Sequence, residues 1–234
     1  MALGVPWRVS SATEAPALGP EHRKAQGTAM AKAANSEQLH ELLYQALETE
    51  AGGIKVYETA ITCAVNDELK EEWEEYLGET KTHHSTLLGV FEKLNLDPEA
   101  KTPGREVVAH IGQSLVKAMM MAKSSAGADA AQLVAAECVV HAETKDHMNW
   151  ELLGHVAEKT GGPAGKVLME AYEAVEKDED HHLYHTKGWL RELWIDSLGL
   201  PAVIPPPEEV KNVETAIGAS RAEQARDGLL AGKR

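Results

Sequence analysis

Seven residues whose side chains bind metals or move protons stand on or beside stripes that helical patterning reserves for apolar side chains. Glu50 interrupts a stripe that otherwise runs Leu39, Leu43, Ala46, Ile54, Tyr57 and Ile61, at steps of three and four residues. His83 lies on the stripe Trp73, Tyr76, Thr80, Leu87, Val90 and Leu94, with Glu79 one turn earlier. Glu143 and His147 share a stripe with Leu133, Val140, Trp150 and Leu153. Glu179 and His182 share one with Leu168, Val175, Trp189 and Leu193. An isolated buried carboxylate is unfavourable and either takes up a proton or finds a counter-charge. One such residue carries little weight. Four glutamates and three histidines, each near the middle of a long helix, ask for a shared counter-charge. A pair of divalent or trivalent metal ions supplies it, because glutamates bridge two metals and neutral imidazoles cap the ends.

The elements that must position these residues are long helices. Ala, Leu, Glu and Lys dominate the middle of the chain, and breaks rich in Pro or Gly occur at 97–105, 125–128 and 161–165. Asn66-Asp67 offers a further polar turn. These breaks predict helices at about 36–65, 68–95, 105–124, 128–160 and 164–196. No alternating Val/Ile/Thr run predicts a strand. The expected fold class is all-α, an antiparallel four-helix bundle with one inserted helix. The expected organisation is a mobile N-terminal tail at 1–35, a bundle at 36–200, and a Pro-rich linker with a short helix or tail at 201–234.

Composition narrows the function. The 234-residue chain has 23 basic and 37 acidic residues, a formal net charge of -14. That argues against a nucleic-acid partner, which needs a basic face, and against docking on an anionic membrane by charge. No run of 18 or more apolar residues predicts a membrane span, and the first 20 residues carry no continuous apolar core of a secretory signal, so a cytoplasmic location is expected. Two cysteines, Cys63 and Cys138, are too few for a disulfide scaffold or a zinc ribbon and read as buried free thiols.

The same residues carry a resemblance to the ferritin-like superfamily of rubrerythrins and bacterioferritins. Glu50-Ala-Gly-Gly-Ile-Lys-Val-Tyr57 is similar to the family's first-helix Glu followed seven residues later by Tyr. Ala142-Glu143-Thr144 resembles the Ala-Glu-Ser of the third bundle helix, and Asp178-Glu179-Asp180-His181-His182 resembles the Asp-Glu-x-x-His of the last. The inserted helix is similar to that of a bacterial stress-protein branch with five-helix subunits. The second helix departs from the pattern, with Glu79-x-x-x-His83 where the family has Glu-x-x-His, which leaves open whether His83 or His84 is the ligand.

The resemblance implies a dinuclear site of two Fe, or alternatively Mn, held by Glu50, Glu79, His83, Glu143, His147, Glu179 and His182. Tyr57 is then a redox or hydrogen-bonding partner, or simply a core tyrosine. Glu137 and His141 are expected outside the site, and His181 and His185 are expected to face away from the core. The implied activity is oxidation of Fe(II) or reduction of O2 or H2O2 by a homodimer. The alternatives are a manganese pair that disproportionates peroxide and a metal-poor helical stress or interaction module.

Overall fold

The computed structural model describes residues 35–201. These residues form α1 (Ser36–Ile61), α2 (Asp67–Leu94), α3 (Pro103–Ser125), α4 (Ala128–Lys159) and α5 (Gly162–Ser197), and no strand occurs among them. The all-α class expected from the patterning is what the described residues adopt. The helix starts follow local chemistry. Asn35, Asn66 and Thr102 each turn a side-chain oxygen onto the first free backbone N–H groups of α1, α2 and α3. Asn95 ends α2 in the left-handed region at φ 54°. The tail regions expected at 1–34 and 202–234 lie outside the described residues.

Contacts run α1 to α2, α2 to α5, α5 to α4, and α4 back to α1, a closed ring of four helices. Pairings along each seam give the directions. Glu72 meets His185 while His83 meets Glu179, so α2 and α5 are antiparallel. Val65 meets Gln132 while Thr49 meets Asn149, so α1 and α4 are antiparallel too. The helix α3 lies outside the ring against α1 and α4, and buries only Met119. Its Arg105 bonds to Glu48 near the middle of α1, and Gly112 meets the backbone of Gly52. The role of α3 is to carry the chain back along the bundle, so that α4 starts beside the end of α1.

That return is pinned by Gln132. Its Oε1 accepts from the backbone N–H groups of both Val65 and Asn66, at 2.7 Å each, which stops α1 at Ile61 rather than at 65. Gln132→Ala leaves two loop N–H groups without this acceptor. The expected loss is about 1–3 kcal/mol, read as a lower urea midpoint at unchanged slope.

The interior is divided into two apolar clusters. One holds Leu43, Leu47, Leu87, Phe91, Leu153 and Leu168. The other holds Val56, Ala60, Leu69, Trp73, Met119 and Trp189, together with both cysteines, which are free and buried as expected. Burial raises the Cys138 thiol to about 11, so it stays protonated and unreactive at neutral pH. Between the two clusters lies a belt of buried polar side chains contributed by all four ring helices.

Candidate metal centre

Glu50 comes from α1, His83 from α2, Glu143 and Asp146 from α4, and Glu179 and His182 from α5. All six are buried, none above 4% exposed. One oxygen each from Glu50, Asp146 and Glu179 lie within 4.8 Å of one another. So do one atom each from His83, Glu179 and His182. Glu179 belongs to both groups. Glu143 sits beside the second, its Oε2 3.6 Å from His182 Nδ1.

The imidazoles are held from behind. His83 Nε2 is 3.3 Å from Asp178 Oδ2, and its Nδ1 faces inward, 3.0 Å from Glu179 Oε1 and 3.9 Å from Glu50 Oε1. His182 Nε2 is 2.7 Å from Glu79 Oε2, and its Nδ1 faces Glu143. A carboxylate on the outer nitrogen fixes the proton there and leaves the inner nitrogen as a lone-pair donor, the usual outer support of a metal-bound histidine. Glu50 is oriented in the same way, because Trp150 Nε1 donates to its Oε1 at 2.7 Å. Asn149, which donates to Thr49 at 2.9 Å, ties α4 to α1 at this level.

The electrostatics are those of an acidic site in a buried interior. Burial raises Glu50 well above the usual carboxylate range, and Asp146 and Glu179 add to it. Burial and the Glu179 and Glu143 charges do the same to Asp146, and burial and Glu143 to Glu179. Burial works against a charged His182, yet the carboxylates of Glu143 and Glu79 outweigh it and raise the ring to about 10. Burial and the neighbouring His182 lower His83.

Each of the six side chains keeps one buried atom with no hydrogen-bond partner: Glu50 Oε2, His83 Nδ1, Glu143 Oε2, Asp146 Oδ1, Glu179 Oε2 and His182 Nδ1. All six become lone-pair donors once the protons held by the metal-free site are released. Buried polar atoms in folded proteins are otherwise almost always satisfied. Four carboxylates and two imidazoles, with their inner atoms unmet, are a donor set that suits divalent first-row metals.

The sequence reading and the structure place several residues differently. Glu79 stands outside the belt and half-buried, supporting His182. Thr80, three residues before His83, takes the inward position, its hydroxyl bonded to the Tyr76 carbonyl. The ring of His83, not His84, enters the belt, while His84 is half-buried on a side where the Arg105 charge is felt. His147 is not among the six, and its Nε2 lies 2.7 Å from Asp180 Oδ1. The inward residue is Asp146, which the sequence reading did not single out. The spacing Val139, Glu143, Asp146, Trp150, Leu153, Ala157 was the signal for it.

Glu137 accepts from Trp194, and His141 is exposed. His181 is exposed as expected, but His185 is buried, with Nδ1 3.0 Å from the Tyr76 hydroxyl and 2.9 Å from Glu72 Oε1. It lies three residues after His182 on the same inward stripe, which is why it turns in. Tyr57 is buried, its ring centroid 6.3 Å from that of His182 and its hydroxyl without a hydrogen-bond partner.

Fold and site together define an all-helical ring bundle with a buried carboxylate–imidazole belt. The chain belongs to the family described as Domain of unknown function (DUF892), whose model matches residues 34–186 and so includes all six belt residues. No curated protein and no solved structure gives a significant match. No helix among the described residues is long and apolar enough to cross a membrane.

Proposed function

We propose that this protein is a ferritin-like di-metal carboxylate protein that oxidises Fe(II) or reduces O2 or H2O2 at the belt. The single observation that carries this reading is the set of six buried inner atoms without a hydrogen-bond partner, converging from all four ring helices. Di-iron bundles of this kind draw one Glu from each of two helices and Glu-x-x-His from each of the other two. Here α5 supplies Glu179-x-x-His182 and α1 supplies Glu50. The second helix supplies Thr80-x-x-His83, and its missing carboxylate is made up by Glu143-x-x-Asp146 on α4. The total stays at four carboxylates and two imidazoles.

His83, His182 and Glu179, with Glu143 alongside, would hold one ion, and Glu50, Asp146 and Glu179 the other. When bound, a redox-active pair exchanges electrons with O2 or peroxide. The protein's own groups keep the donors ready. Trp150 leaves Glu50 Oε2 free by occupying Oε1. Asp178 and Glu79 keep the protons of His83 and His182 on Nε2. Burial and the Glu143 charge raise Tyr57 well above its ordinary range, so its hydroxyl stays protonated and does not act as a base. Apolar clusters on both sides exclude bulk water. The all-oxygen triad also favours a hard ion such as Mn(II), so a manganese pair that disproportionates peroxide is the second reading.

The test is the metal content per chain, by mass spectrometry, of protein loaded anaerobically with Fe(II) or Mn(II). Close to two ions per chain, with an absorbance change on adding O2 or peroxide, supports the reading and names the metal. A folded helical protein that binds none would sink it and favour the interaction-module alternative.

A further inference from the structure

A cleft of about 190 Å³ opens between α4 and α5, directly over the belt. Its outer walls are Glu151 and Tyr172 with Glu176, all reaching solvent to some degree. Beside them, His147 and Asp180 face each other at 2.7 Å. The inner end is Glu179, 2% exposed, with its Oε2 unpartnered. Four carboxylates and one imidazole line the cleft, and no lysine or arginine does. Its volume holds about six waters at roughly 30 Å³ each, which is room for a hydrated divalent ion. The backs of the belt histidines are closed by comparison, since Asp178 and Glu79 occupy their outer nitrogens.

We propose that this cleft is the inlet for divalent transition-metal ions, with Glu176, Asp180 and His147 forming a staging site above Glu179. The inference rests on the metal-centre reading and adds the route and the residues that feed it. The acidic mouth concentrates cations and repels anions. A partly hydrated ion loses water stepwise to Asp180 and His147, and then meets Glu179. Glu179 belongs to both donor triads, so an ion delivered to it reaches either. His147 and Asp180 are positioning residues in this scheme, not ligands of the final pair.

The test is stopped-flow uptake of Co(II) alone by metal-free full-length protein, followed by visible absorbance, with final stoichiometry measured separately. The variants are Glu176→Gln with Asp180→Asn, and His147→Ala. The charge-matched control is Glu58→Gln with Glu71→Gln, two exposed positions on α1 and α2. The cleft variants are expected to load at least about fivefold more slowly and still to reach the wild-type stoichiometry, while the control changes little. Higher salt should slow the wild type more than the cleft double variant. Equal slowing in the control, or none in the cleft variants, overturns the inlet. A lower final stoichiometry in the cleft variants also overturns it, because those residues would then be ligands of the pair. No Co(II) uptake by the wild type overturns the metal-centre reading, and the inlet with it.

Discussion

Glu179→Ala is expected to abolish binding of both ions, whereas Asp146→Asn removes one of two. The difference follows from membership. Glu179 is common to the imidazole-containing triad and the all-oxygen triad, and Asp146 belongs only to the second. Truncating Glu179 leaves two histidines with Glu143 on one side and two carboxylates on the other, and removes the one group that both sites share. Changing Asp146 to its amide leaves His83, Glu179 and His182 intact. Glu137→Ala serves as the control on α4, because Glu137 faces Trp194 and not the belt. The measurement is metal per chain after loading and gel filtration. Two ions retained by Asp146→Asn would eliminate the all-oxygen site. Metal loss in Glu137→Ala equal to that in Glu179→Ala would overturn the placement of α4.

The second large effect is a stability that runs opposite to the common acid-labile pattern. In the metal-free protein Glu50, Asp146 and Glu179 have raised pKa values, chiefly from burial. The folded state therefore keeps protons that the unfolded chain releases from about pH 4 upward, so their contribution is present in acid and lost as pH rises. His182, raised to about 10, acts in the same direction above the unfolded value near 6.5. The lowered His83, His84 and His181 oppose them, and cost stability as pH falls below about 6.5. The melting temperature of metal-free protein should fall between about pH 5.5 and pH 8.5.

Metal ions replace those protons, so their stabilising effect grows with pH. At a free concentration about a hundredfold above Kd each site adds ~2.7 kcal/mol. That amounts to roughly 5–11 °C at ~2–4 °C per kcal/mol for a protein of this size. Calorimetry with and without Mn(II) at both pH values decides it. A metal-free melting temperature that rises with pH, or a metal increment that is the same at both, would refute the buried-charge argument.

Most of the frame was legible because the ring helices α1, α2 and α5 bury bulky stripes. Leu43, Leu47 and Tyr57 set the phase of α1, and Leu87, Trp73 and Phe91 that of α2. Leu168, Val175 and Trp189 do the same for α5. With the phase known, Glu50, His83, Glu179 and His182 stand on inward positions. The helix α4 was harder to read. It touches α1, α3 and α5, so burial spreads round much of its circumference. Its inward residues are mostly small, Ala131, Ala135, Ala136 and Cys138, and give little contrast against the polar ones. The larger Leu133 and Val140, which the pattern favours, are only half-buried. The phase drawn through them points to His147, one residue from the aspartate that enters the belt. The support of His182 by Glu79 across two helices, like that of Trp150 on Glu50, leaves no local spacing signature.

The two apolar clusters have a mechanical consequence. They are separate hydrophobic units, and among the described residues a layer of buried carboxylates, imidazoles and neutral polar side chains lies between them. Without ions that layer is a weak plane, where opening hydrates buried polar groups and exposes little apolar surface. Either end of the bundle then frays about it on its own. With ions in place the same plane becomes a rivet, since its donors come from all four ring helices. The bundle then opens as one cooperative body, and its occupancy is readable at both ends.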